Sequence, residues 1–110
     1  MKIFIIPFRV EHKNNDSSIM PSEFSSGYVS CYSPGRNYEE ATEKALKSLI
    51  MNGIFPAEVL QPIYEMDSEA WSQHISDRWP ELVDSLLSQN EFESVMKRDE
   101  VVYGPFGMYN

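Results

Sequence analysis

Residues 27–53 read GYVSCYSPGRNYEEATEKALKSLIMNG, and the period of the pattern changes halfway through. In the first part, Tyr28, Ser30 and Tyr32 alternate with Val29 and Cys31, which is the two-residue period of a β-strand. Pro34-Gly35 marks a turn. Beyond it, Tyr38, Ala41, Ala45, Leu49 and Asn52 recur at helical spacing, and Leu46 and Ile50 widen the stripe. Glu39, Glu40, Glu43, Lys44 and Lys47 cover the other side. Asn37 is placed to cap this helix, with Glu40 three residues on in the spacing of a capping box. Glu40–Lys44 and Glu43–Lys47 are i,i+4 pairs in the favourable order, each worth about 0.3 kcal/mol. Gly53 suits the left-handed residue that ends a helix. With another strand expected at about 57–65, the stretch predicts a strand–helix–strand crossover.

Outward from this unit, residues 2–9 are nearly continuous in apolar character, as in a strand covered on both faces. Pro7 lacks a ladder donor and should lie at an edge or bulge, and Pro62 should make the third strand an edge or bent strand. Residues 11–26 have no period and many turn formers, so a long loop is expected there. Asp67 or Ser68 should cap a second helix reaching about Trp79, with Trp71, Ile75 and Trp79 on one face. Pro80 fits the first position of a third helix whose stripe is Leu82, Val83, Leu86 and Leu87. Asn90 and Glu93 suggest a further capping box, with Phe92, Val95 and Met96 inward. Residues 100–103 read as a last strand and 104–110 as a loose tail. The fold class that follows is α+β: a small, mostly antiparallel sheet of about four strands packed by three or four helices, in one domain.

The composition supports a core, with 42% hydrophobic and 13% aromatic residues, and argues against disorder. Cys31, the single cysteine, precludes an internal disulfide and fits a reducing compartment. The N-terminal Ile3-Phe4-Ile5-Ile6 run is cut short by Pro7 and Arg9, so neither a signal peptide nor a membrane span is expected, and the location expected is cytoplasmic.

Charge is unevenly distributed. Between Glu58 and Glu93 nine acidic residues face one base, Arg78, and that imbalance equals the net charge of −8 for all 110 residues. The rest of the chain is neutral. Such a field attracts cations and basic proteins and opposes nucleic acid and anionic membranes.

Motifs for chemistry are sparse. His12, His74 and Cys31 are the soft metal ligands, without zinc-site spacing, and Asn14-Asn15-Asp16 is too short for a calcium loop, so neither a metal nor a cofactor is expected. Cys31 could serve as a nucleophile only beside a base such as His74; on a strand next to Val29 it reads as a small buried hydrophobe. The carboxylate pairs Glu39/Glu40, Asp67/Glu69 and Glu91/Glu93 stand at helix starts, where capping and the helix dipole account for them. Acid–base work would need an apolar pocket raising one of them. Trp71 and Trp79, eight residues apart, can both be core, or one can be an interface anchor framed by acids.

The order Tyr28-Val29-Ser30, Pro34-Gly35, Tyr38-Glu39-Glu40-Ala41, Ala45-Leu46, Leu49 and Gly53, followed by a strand and by Trp71 and Trp79-Pro80-Glu81-Leu82, resembles small bacterial immunity proteins. These partner the toxins of contact-dependent growth inhibition and related polymorphic toxin systems. The likeness covers roughly residues 27–87 and lies in size, acidity and layout. It implies a non-catalytic protein that binds one cognate toxin domain, such as a tRNA-cleaving or other nuclease, and covers its basic active-site cleft. The contacts expected on that reading are Asp67, Glu69, Asp77, Glu81 and Asp84, with Trp71 as the aromatic partner. Two other readings stay open: a small enzyme or enzyme subunit using Cys31 or a carboxylate pair, and an acidic mimic of nucleic acid.

Overall fold

The computed structural model describes residues 1–12 and 26–109. The fold is α+β, with three α-helices packed on an antiparallel sheet. Its strands are β1 (Lys2–His12), β2 (Ser26–Pro34), β3 (Ile54–Val59), β4 (Tyr64–Asp67), β5 (Val102–Tyr103) and β6 (Gly107–Tyr109). The helices are α1 (Tyr38–Met51), α2 (Trp71–Arg78) and α3 (Gln89–Lys97). Most of the expected long loop falls on residues 13–25, outside the described residues.

The six strands occupy four lanes. β1 pairs with β2 along one edge, from Ile3–Pro34 to Glu11–Ser26. Along its other edge, β3 takes Phe8 to His12 and β4 takes Lys2 to Ile5, end to end. The outer edge of β2 is shared in the same way by β5, opposite Cys31 and Tyr32, and by β6, opposite Ser26 to Tyr28. β2 and β3 both run antiparallel to β1, so α1 crosses over β1 to join two parallel lanes.

Pro7 is inside the sheet, where an edge or bulge was expected. It lies opposite Ser30 of β2, and its carbonyl accepts from Leu60 N–H at 2.8 Å, beyond the end of β3. A strand residue points its N and its C=O the same way. The missing donor therefore falls at the break between β3 and β4, where no ladder bond is lost. The third strand is likewise two strands, interrupted around the cis Gln61–Pro62 bond.

The alternation of β1 divides the core. Phe4, Ile6, Phe8 and Val10 pack with Val29, Cys31 and Ile54 under Ala41, Ala45 and Leu49 of α1. Ile3 and Ile5 point the other way and pack with Tyr32 under Trp71 and Ile75 of α2, Phe92 and Met96 of α3, and Val102. The layer of α2 and α3 covers the Ile3–Ile5 end of its face; Pro7, Arg9 and Glu11, further along, are half-buried, with Arg9 held by Glu11 at 3.0 Å and Glu58 at 3.3 Å.

Local signals act largely as expected in α1. The Asn37 side chain accepts from Glu40 N–H at 2.9 Å, and Gly53 has φ of 73°. The box is only half closed, since the Glu40 carboxylate accepts from Arg36 instead of the cap residue. Three expectations differ further along. Residues 80–87 form no α-helix but a turn and a 3-10 turn at Val83–Ser85, followed by extended Leu86. The capping box of α3 is Ser88–Glu91, not Asn90–Glu93, and Glu93 accepts from Gln89 instead. The supposed tail returns as β6.

Gly35 is required by space. A Cβ there would lie 2.8 Å from Ala41 N in the first turns of α1. Gly35→Ala is expected to destabilise the fold by about 1–3 kcal/mol, read as a lower urea midpoint with an unchanged denaturant slope.

Candidate functional site

The candidate acids lie on the layer built by α2, α3 and the segment between them. Asp67 ends β4, and its carboxylate accepts from Glu69 N–H at 3.1 Å, capping the 3-10 turn Ser68–Ala70 that leads into α2. The chain's amino group is 3.4 Å away. These contacts, the Glu69 N–H foremost, hold the Asp67 carboxyl below the usual carboxylate range. Glu69 is exposed in the same turn. Asp77 stands near the far end of α2 and accepts from Gln73 at 2.9 Å. Glu81 and Asp84 are exposed on the connection to α3.

The six expected contacts therefore do not form one cluster. Asp67 and Glu69 sit at the start of α2 and Asp77, Glu81 and Asp84 at or beyond its end, about 12 Å along the axis at 1.5 Å per residue. Trp71 is not a surface residue at all. It is fully buried, stacked on Phe92 with ring centroids 4.1 Å apart, edge-on to Tyr32 at 5.0 Å, and its indole N–H donates to Leu87 O at 2.8 Å. An aromatic with its polar edge satisfied inside is core. Trp79 is the tryptophan that reaches the surface. The helix stops at Arg78, and Trp79 leaves it with φ −137° and ψ 61°, half-buried, with the Arg78 guanidinium 5.4 Å from its ring centroid. Leu82, 41% exposed, follows three residues later. The Trp79-Pro80 pair was the available signal, because proline at that position fits poorly with a helix continuing through Trp79.

The layer is pinned in place. Gln89 Oε1 accepts from Ser72 N–H at 2.9 Å, and its Nε2 donates to Ser68 O at 2.9 Å, so one side chain ties the start of α3 to the start of α2. Ser88 and Glu91 cap each other's backbone N–H groups at the same end, which keeps the Glu91 carboxyl below its usual range.

Ion pairing separates this layer from the rest. Glu11, Glu40, Glu43, Glu58, Glu65, Asp67, Asp99 and Glu100 all have a cationic partner within 4 Å. Among the described residues, the acids without one are Glu39 on α1 and Glu69, Asp77, Glu81, Asp84, Glu91 and Glu93 on the α2–α3 layer. Arg78 has no acid partner either and lies over Trp79. Among the described residues, the acids without an ion pair therefore lie mostly on this layer, which also carries the bases Arg78 and Lys97.

The groups proposed for chemistry are dispersed. Cys31 is fully buried on the α1 side of the sheet, where burial pushes the thiol up, whereas His74 lies on the opposite side against Tyr32. They form no thiol–imidazole pair. Among the described residues no cluster of His, Cys, Asp or Glu is arranged to hold a metal ion, and no helix is long and apolar enough to cross a membrane. Comparison with protein-family models, curated proteins and solved structures finds no match.

Buried Trp71 and the surface acids should separate cleanly in stability. Trp71→Ala is expected to cost about 3–5 kcal/mol as a buried aromatic truncation, whereas Glu81→Lys and Asp84→Lys should each stay within about 0.5 kcal/mol of wild type, measured by urea unfolding.

Proposed function

We propose that the chain is an immunity protein that binds and neutralises one cognate toxin domain, a nuclease with a basic active-site cleft, through the acidic α2–α3 layer. One observation carries this reading: among the described residues, the acids that lack ion-pair partners lie almost entirely on that layer, whereas the described acids elsewhere, Glu39 excepted, are paired. An acid already paired within its own fold must break that contact to serve a partner, and an unpaired one is ready to do so. Such a surface competes with phosphate groups for a basic cleft and accelerates encounter with it. The clamp by Gln89 and the capped helix starts hold the acids on an ordered frame, which lowers the entropy lost on association.

The contact set is narrower than the sequence suggested. Asp67 serves a helix start of its own fold, Glu69 stands at the opposite end of α2 from the other acids, and Trp71 is internal. The centre of the surface is Asp77, Glu81 and Asp84, close in sequence to half-buried Trp79 and exposed Leu82, with the Arg78 guanidinium over the Trp79 ring. That composition, with tryptophan and arginine, fits a protein–protein hot spot.

The test is to express the product of the neighbouring reading frame and measure its binding to this chain, with RNA cleavage as a second readout. A complex at micromolar concentration or tighter, in low salt, with cleavage suppressed, is expected. Absence of a complex under those conditions would overturn the reading, and equal binding to unrelated basic proteins would favour a nucleic-acid mimic. The triple reversal Asp77→Lys, Glu81→Lys, Asp84→Lys should slow association by about tenfold or more and flatten its salt dependence. The same charge change at Glu39, Glu43 and Glu100, outside that layer, should alter association by less than about threefold.

A further inference from the structure

We propose that His74 is an acid-sensitive clasp: its neutral ring, protonated on Nδ1, accepts the Tyr32 hydroxyl proton at Nε2 and so seats α2 on the sheet, and its protonation loosens that seat. Tyr32 belongs to β2 and is fully buried; its hydroxyl oxygen is 2.7 Å from His74 Nε2. This bond spans the interface between the sheet and the helical layer. The rest of that contact is apolar or aromatic: Tyr32 edge-on to Trp71 at 5.0 Å and to Phe92 at 6.2 Å, and Ile75 against the same cluster.

The ring is confined from several directions. Tyr32 meets it at 5.4 Å and 72°, Trp79 meets it edge-on at 5.8 Å, and Trp71 is tilted against it at 6.4 Å. Gly104, in the connection from β5 to β6, lets Trp79 and Tyr32 close over this region, since a Cβ there would lie 3.2 Å from one and 3.3 Å from the other. The titratable and charged groups around the ring are Tyr32 from β2 and Asp77 and Arg78 from α2; α3 presents Phe92 and Met96 to the cluster.

Protonation changes this site in two ways. Nε2 becomes a donor, so the Tyr32 hydroxyl has to accept and turn its own proton toward aromatic surroundings. A positive charge also enters a half-buried ring with Arg78 nearby. Burial first, then Arg78, holds His74 below the ordinary histidine range, against a smaller opposing effect of Asp77. A histidine lowered in the folded state takes up its proton more readily when unfolded. Its contribution to stability is therefore complete above the ordinary value near 6.5 and is lost as pH falls from there through the lower, folded value. Glu40, Asp67 and Glu91 are lowered carboxyls that begin to release their contribution at more acidic pH, so the histidine window opens above theirs.

Thermal unfolding between pH 7.5 and pH 5.0 tests the clasp. The wild-type midpoint should fall by roughly 2–5 °C across that window. His74→Gln, which keeps an acceptor for the Tyr32 hydroxyl but does not titrate, should flatten the slope. A wild-type slope in His74→Gln overturns the proposal. Imidazole NMR of the wild type gives an independent decision. A proton on Nδ1 and titration below the ordinary histidine value are expected, with Tyr32→Phe moving that titration upward; a proton on Nε2, or titration at or above the ordinary value, overturns the proposal.

Discussion

β1 is hydrogen-bonded along both edges and packed on both faces, and every other element is placed by reference to it. Its even-numbered residues hold α1, and its odd-numbered ones at the start of the strand hold α2 and α3. A shift of one residue would exchange Phe4, Ile6, Phe8 and Val10 for Ile3, Ile5, Pro7 and Arg9 beneath α1 and would carry a guanidinium into the core. The register is thereby fixed by what each face must bury. Proline at position 7 is compatible with this central role only because β3 and β4 part company at that point.

Much of this organisation was legible in the sequence because it depends on local rules. The cap at Asn37, the stripe of α1 and the positive φ of Gly53 are set by neighbours a few residues apart, as is the alternation of β2. What was not legible depends on distant partners. Leu82, Val83, Leu86 and Leu87 have helical spacing, yet a 3-10 turn and an extended residue also bring Val83, Leu86 and Leu87 to the core, and the cap at Ser88 claims the residues that follow for α3. β6 forms because β2 has an edge to offer, which nothing in residues 104–110 states. Trp71 and Trp79 look equivalent at a spacing of eight, but the helix ends between them.

The acidic stretch shows the same division. Its total was visible from composition, but the sequence could not tell acids that neutralise a cation of the fold from acids that do not. Glu58 and Glu65 go to Arg9 and Lys2, and Asp67 serves a helix start. The remainder is concentrated on one layer because most bases among the described residues lie elsewhere, on β1 and on or just before α1, and the helices of the layer carry only Arg78 on α2 and Lys97 at the end of α3.

The interrupted outer lanes have a consequence for behaviour at high concentration. Among the described residues, each margin of the sheet consists of two short pieces with a break between them, and the longest of them, the six-residue β3, carries Pro56. An extended stretch from another molecule would find at most a few consecutive donors and acceptors before the backbone turns away. The two long strands of this sheet, β1 and β2, are kept in the middle, with strands paired on both sides of each. The arrangement guards the chain against strand-to-strand polymerisation while it retains a long, strongly apolar β-segment.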